Sequence, residues 1–289
     1  MWKKMFKKIL VPISSEYYSK DVIKRSIFLA KTFNSTVHIL NILEENPLQQ
    51  MEKCSDAHLT YHDRKETHQD LLYKQKQTAD TIVLNDIQQQ FTGTNIKMTH
   101  QRIYGEFSKT VTNEVEKQNY DLIIMGFDRG CMIDYSIIDN INIPIWVEGG
   151  GKYKSILAVC LNLAPKLKVP KISKKLAEAF NWPLSMLYII DTQDTVEVDI
   201  NGNRSTKKPK HELLFAGQNF VDEMKSEKIH VKTIQGTIEH QTIKEADTLK
   251  AGIVIIGREQ KQKGMLGIPV KNIKQKLAMK CKYSILFIN

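Results

Sequence analysis

Short apolar runs alternate along the chain with longer segments whose apolar residues recur every three or four positions. Lys8–Ile13 is a run without polar alternation, the pattern of a strand covered on both faces. Lys20–Phe33 sets Val22, Ile23, Ile27, Ala30 and Phe33 at helical spacing, and Asn34 stands where a left-handed C-terminal residue is expected. Thr36–Leu43 predicts a second strand, and Leu71–Gln90 a long helix with Leu72, Ala79, Ile82, Val83 and Ile87 on one side. A strand over Ile96–Tyr104, a helix over Phe107–Gln118, and strands over Leu122–Met125 and Ile143–Val147 follow.

The same order then recurs. Ile9-Leu-Val-Pro-Ile13 resembles Ile156-Leu-Ala-Val-Cys160 at an offset of 147 residues. That offset also carries Leu29-Ala-Lys-Thr-Phe-Asn34 onto Leu176-Ala-Glu-Ala-Phe-Asn181, and Val37–Leu43 onto Leu184–Ile190. Further on it falls to 131: Gly105 meets Gly236, and Leu122–Gly126 meets Ile253–Gly257. At the ends, Ile145–Val147 meets Ile285–Phe287 at offset 140. A constant offset through successive elements marks a tandem duplication. The second copy predicts elements over Ser155–Leu161, Lys171–Phe180, Leu184–Asp191, His211–Glu227, His230–Gln235, Ile238–Leu249, Gly252–Ile256, Asn272–Met279 and Tyr283–Ile288.

Strands alternating with single helices imply right-handed βαβ units and a mainly parallel sheet. The expected fold is α/β: two tandem flavodoxin-like (Rossmann-like) domains, each a five-stranded mainly parallel sheet with helices on both faces. Their expected bounds are 1–148 and 152–289. The first carries a polar insertion over about 46–70 and a shortened loop after Gly126. Glu148-Gly-Gly-Gly-Lys152 falls at the boundary and reads as a plain linker.

Charge distinguishes the copies. The chain of 289 residues has a formal net charge of +10, yet residues 1–149 sum to −1 and residues 150–289 to +11. Lysine clusters near residues 166–175, 207–210 and 271–282 could attract nucleic acid or acidic proteins. Only two arginines, Arg204 and Arg258, lie in that half, and no aromatic residues interleave with the lysines, so nucleic acid is not the expected partner. The long uninterrupted apolar stretch of a membrane helix is missing, as is a secretory signal pattern. Cys54, Cys131, Cys160 and Cys281 are isolated, as in a reducing compartment. Cytoplasmic residence is therefore expected.

Lys8–Ile13, Ala30-Lys-Thr-Phe33 before Val37-His-Ile-Leu40, Gly105 before a helix, Tyr120–Gly126 and Ile143–Val147 together resemble the universal stress protein family in its tandem, two-domain form. Many members bind ATP. The resemblance implies a carboxylate after the first strand and a G-x2-G-x9-G-[ST] stretch after the fourth, whose backbone N–H groups cradle phosphates. It also implies pairing of the two copies through Ile145–Val147 and Ile285–Phe287, and allows a further homodimer.

This sequence departs from the family pattern at each point. The carboxylate position is Ser14 in the first copy and Leu161 or Asn162 in the second. After Gly126 the glycine positions hold Arg129 and Asp139, and Asp128 and Asp134 would repel phosphate. After Gly257 they hold Gln260 and Val270. A basic loop in the second copy could still hold an anion through Asn162, Gly257, Arg258, Gly264, Gly267, Lys271 and Asn272, or be a solvated surface loop. His58 and His62, four apart, suit zinc if helical, or lie in a solvated segment. No nucleophile elbow, HExxH or Walker motif occurs. The leading expectation is a non-catalytic stress-response binding or signalling module with degenerate ATP motifs. The alternatives are an atypical ATP or AMP binder through the second domain, with slow ATPase, and a basic adaptor for nucleic acid or acidic partners.

Overall fold

The computed structural model describes residues 5–14, 18–43, 78, 81–126, 137–138, 141–162, 168–191, 195–197, 205–227, 229–257, 277 and 282–288. Contacts divide the chain into two compact units, Lys3–Ile137 and Ile138–Asn289.

The first unit contains β1 (Lys8–Ile13), α1 (Lys20–Phe33), β2 (Thr36–Leu43), helix α2 (81–91), β3 (Met98–Tyr104), α3 (Phe107–Lys117) and β4 (Leu122–Gly126). Its sheet runs β3-β2-β1-β4, parallel throughout. β1 and β4 are buried on both faces, as their unbroken apolar runs require. β3 is the edge strand, and its residues 99–102 (Thr-His-Gln-Arg) are exposed.

The second unit contains β5 (Ile145–Glu148), β6 (Ile156–Leu161), α4 (Lys168–Phe180), β7 (Leu184–Asp191), α5 (Lys210–Ser226), β8 (Val231–Gly236), α6 (Ile238–Leu249), β9 (Ile253–Gly257) and β10 (Ser284–Ile288). Its strand order is β5-β10-β9-β6-β7-β8. All neighbours are parallel except β5 and β10, which pair antiparallel through Ile285↔Val147, Leu286↔Trp146 and Phe287↔Ile145. The last strand of the first sequence copy thus lies in the second unit.

The duplication extends to the register of individual strand pairs. Ile9↔Val37 recurs as Ile156↔Leu184, Ile9↔Leu122 as Ile156↔Ile253, and Ile39↔His100 as Met186↔Val231. These are the offsets of 147 and 131 read from the sequence. Helix α1 buries Val22, Ile23, Ser26, Leu29, Ala30 and Phe33; α4 buries Val169, Pro170, Ser173, Leu176 and Phe180 at the same positions. Both helices end on an asparagine in the left-handed conformation, Asn34 at φ 55° and Asn181 at φ 54°. The following N–H donates to an equivalent carbonyl, Ser35 to Ala30 and Trp182 to Ala177, each at 3.0 Å.

Several local expectations change. Helix α4 starts at Lys168 instead of Lys171, because Pro170 sits in the first turn, where its missing N–H has no partner to lose. β5 runs Ile145–Glu148 and not Ile143–Val147, since Pro144 cannot donate to a ladder. The glycine run after β5 is packed and is not a free linker. A Cβ on Gly149 would lie 2.6 Å from the Tyr283 backbone, so the chain needs glycine there for close approach.

Candidate functional site

In open parallel sheets, ligands bind at the carboxyl ends of the strands, where the strand order reverses about the first strand. In the second unit that point is β6, flanked by β7 and β9. The edge there is formed by Asn162, one residue past β6, by Asp191 at the end of β7, and by Gly257 at the end of β9.

Asn162 is 1% exposed, and both ends of its amide are engaged. Its Nδ2 donates to the Val196 carbonyl at 2.7 Å, and its Oδ1 accepts from the Asp191 N–H at 2.9 Å. The first bond draws the chain beyond β7 back over the β6 end. That chain is closed on itself: Ser205 N–H donates to Glu197 O and Lys208 N–H to Thr195 O, both at 2.9 Å. The Glu197 N–H donates to Ser205 Oγ at 2.9 Å, and Lys208 Nζ reaches Glu197 Oε2 at 2.6 Å. This bond to Glu197 raises the Lys208 pKa. Val196 is buried. Nearby in β7, the Tyr188 hydroxyl is buried without a hydrogen-bond partner among the described residues. Desolvation, and secondarily the Glu197 charge, raise its pKa.

In the first unit, Ser14 follows β1, is 2% exposed and supplies no carboxylate. The opposite, amino-terminal end of that sheet holds a buried polar cluster. Glu114 Oε1 accepts from the Tyr120 hydroxyl at 2.8 Å and from Gln118 Nε2 at 2.6 Å. Lys8 Nζ bonds Gln118 Oε1 and lies 4.4 Å from the Tyr120 ring centroid. His38, in β2, bonds Thr99 Oγ1 through Nδ1 at 2.8 Å, and its Nε2 has no partner among the described residues. Burial lowers its pKa below 6.5. The cluster lies away from the carboxyl edge and joins β1, β2, β3 and α3.

Of the sequence-predicted site residues, Asn162 and Gly257 stand at the carboxyl edge of adjacent strands, and Gly257 is partly buried. Arg258, Gly264, Gly267, Lys271 and Asn272 lie outside the described residues, as do His58 and His62. Among the described residues no group of His, Cys, Asp and Glu could hold a metal ion. Lys207, Lys208 and Lys210 read from the sequence as one basic stretch, yet Lys208 is paired to Glu197. Val196 and Glu197 gave no motif signal, since their role depends on a backbone carbonyl and a cross-loop partner. At the second unit's counterpart of the family's carboxylate position stands an amide bonded at both ends.

Duplicated parallel sheets of this order define a doubly wound α/β protein. Residues 5–130 match the model of the universal stress protein family. The fold likeness extends over the whole chain. A universal stress protein from Archaeoglobus fulgidus matches at 12% identity and TM-score 0.61, over 99% of this chain and 97% of that one. A protein of unknown function from Pseudomonas aeruginosa matches at 13% identity and TM-score 0.64, over 99% and 93%. Comparison with curated protein sequences gave no match. No helix among the described residues is long and apolar enough to cross a membrane.

Proposed function

We propose that the chain is a tandem universal stress protein acting as a non-catalytic, cytoplasmic binding or signalling module that has given up the family's nucleotide seat. The observation that carries this reading is Asn162. Its amide is buried and bonded to Val196 and Asp191, and it presents no carboxylate to a ligand. Ser14 at the matching place in the first unit is equally without an acid. A ribose or ammonium-type contact at either position would have to displace a protein hydrogen bond or do without charge. Calorimetric titration of the whole chain with ATP at physiological salt tests this. No heat of binding is expected; a saturable isotherm of about micromolar affinity overturns the reading. Mass spectrometry of the freshly purified protein gives the same test without added ligand, and a co-purified nucleotide would count against it.

A further inference from the structure

We infer that the first unit holds a ligand site of its own: a cavity between α2 and strands β2 and β3 that takes a small, uncharged aromatic molecule carrying one hydroxyl or N–H group. The cavity measures about 190 Å³ and is lined by Ile39, Leu84, Ile87, Gln88, Met98 and His100. It lies under the helix, beside the first half of β3 and away from the carboxyl edge, so it goes beyond the reading just proposed. Sheet register builds one wall. Met98 and His100 fall on one face of β3, and His100 pairs with Ile39 across the ladder. Helical spacing builds the other, because Leu84, Ile87 and Gln88 stand three and four apart on α2. Ile39 and Ile87 are fully buried and form the floor. Gln88 and His100 are exposed and form the mouth.

The second copy shows how the same place is closed. The strand pair Ile39–His100 recurs there as Met186–Val231, and both of those side chains are buried. Helix α5 comes close to β7 at Gly217, where an added Cβ would lie 3.1 Å from the Tyr188 ring. Helix α2 has no glycine over 81–91, and its Leu84 stays half-buried. An exposed imidazole thus stands in the first copy where an aliphatic side chain seals the second. The walls set the chemistry of the ligand. Ile39, Leu84, Ile87 and Met98 offer apolar surface, in a space slightly larger than the apolar cavity of about 150 Å³ that holds benzene. At the mouth, the side chains of Gln88 and His100 make no hydrogen bond among the described residues. An amide and an imidazole can each give or accept one. The lining has no carboxylate and no ammonium group, so a charged ligand would gain no ion pair there.

Phenol and toluene, alike in size, test this on the full-length chain by amide-resolved NMR titration. Phenol should shift the amides of Ile87, Gln88, Met98 and His100 saturably, with a Kd of about 1 mM, as suits so few atoms. Toluene should bind about fivefold more weakly, the size of one net hydrogen bond. Leu84→Trp fills the cavity and should abolish the shifts. The double variant Gln88→Leu with His100→Val removes both polar groups of the mouth, and should bring phenol down to the toluene value. Both of its positions are exposed, so it keeps the fold and decides the question even where Leu84→Trp does not fold. No saturable shift at those amides overturns the site, as do shifts that persist in a folded Leu84→Trp. Equal affinities for phenol and toluene in the unmodified chain, or an unaltered preference for phenol in the double variant, overturn the ligand class. The calorimetric test of the proposed function reads a different ligand at a different place, so either inference can fail alone.

Discussion

At Gly236 the backbone stands at φ 143°, and an added Cβ would lie 2.6 Å from the Gln241 side-chain nitrogen. Gly105, its counterpart, stands at φ 151°, with a Cβ position 2.8 Å from Thr110 Oγ1. Both residues turn the chain from a strand into a helix through a conformation that side chains rarely adopt. Gly105→Ala and Gly236→Ala should each destabilise the chain by about 1–3 kcal/mol in urea unfolding, and an effect near zero would contradict the strain. His38 makes a different residue-scale case. Burial lowers its pKa, partly opposed by Glu114 and reinforced by Lys8 and His100. In the unfolded chain it takes up a proton at its ordinary value. The unfolded state then binds more protons, and stability falls as pH drops below about 6.5 toward the lowered folded value. Unfolding free energy should be greater at about pH 7.5 than at about pH 5.5, and His38→Gln should narrow that difference. An unaltered difference in the variant would assign it to other groups. The left-handed Asn34 was legible in the sequence from the end of an apolar helical pattern. His38 was not, because a histidine inside an apolar strand run carries no sign of its neighbours.

Helices α1 and α4 show how an element can be copied while one atom loses its role. Ser26 and Ser173 occupy the same position and are both fully buried. Ser26 Oγ donates to the Ile23 carbonyl at 2.8 Å, whereas the Ser173 hydroxyl has no partner among the described residues. Pro170 stands where Ile23 stands in α1. Ser173→Ala removes a buried unsatisfied hydroxyl and adds a better helix former, so it should stabilise by about 0.5–1 kcal/mol, while Ser26→Ala should not. Equal effects at the two sites in thermal unfolding would refute the distinction. At the β5–β10 seam, Glu148 is buried and accepts from Trp146 Nε1 at 2.8 Å, Ser284 Oγ at 2.9 Å and the Gly150 N–H at 3.1 Å. Glu148→Ala strands three donors and should cost about 3 kcal/mol; Glu148→Gln keeps an acceptor and should cost about 1 kcal/mol. Urea unfolding ranks them, and equal losses would remove the network from the account. The apolar strands themselves were legible. The acid that locks their pairing was not, since Glu148 precedes a glycine run and looks like a surface charge.

For the whole molecule, the assignment of β5 to the second unit has a consequence for truncation. A fragment of residues 138–289 retains the antiparallel partner of β10, whereas a fragment of residues 152–289 leaves β10 with a bare edge of Ile285, Leu286 and Phe287. An uncovered apolar edge strand recruits another strand. The shorter fragment should therefore self-associate through that edge in light scattering; a monomeric shorter fragment would contradict this role for β5. The sequence by itself determined the duplication, the parallel α/β class and the equivalences at offsets 147 and 131. These follow from periodicity and from local conformational demands on asparagine and glycine, which a linear pattern records. It also determined the net charge of each half. Only the tertiary structure decided where Asn162 directs its amide, which backbone groups it bonds, and which unit takes β5. Those outcomes depend on hydrogen bonds between groups brought together from distant positions, often backbone groups whose partners no residue type announces.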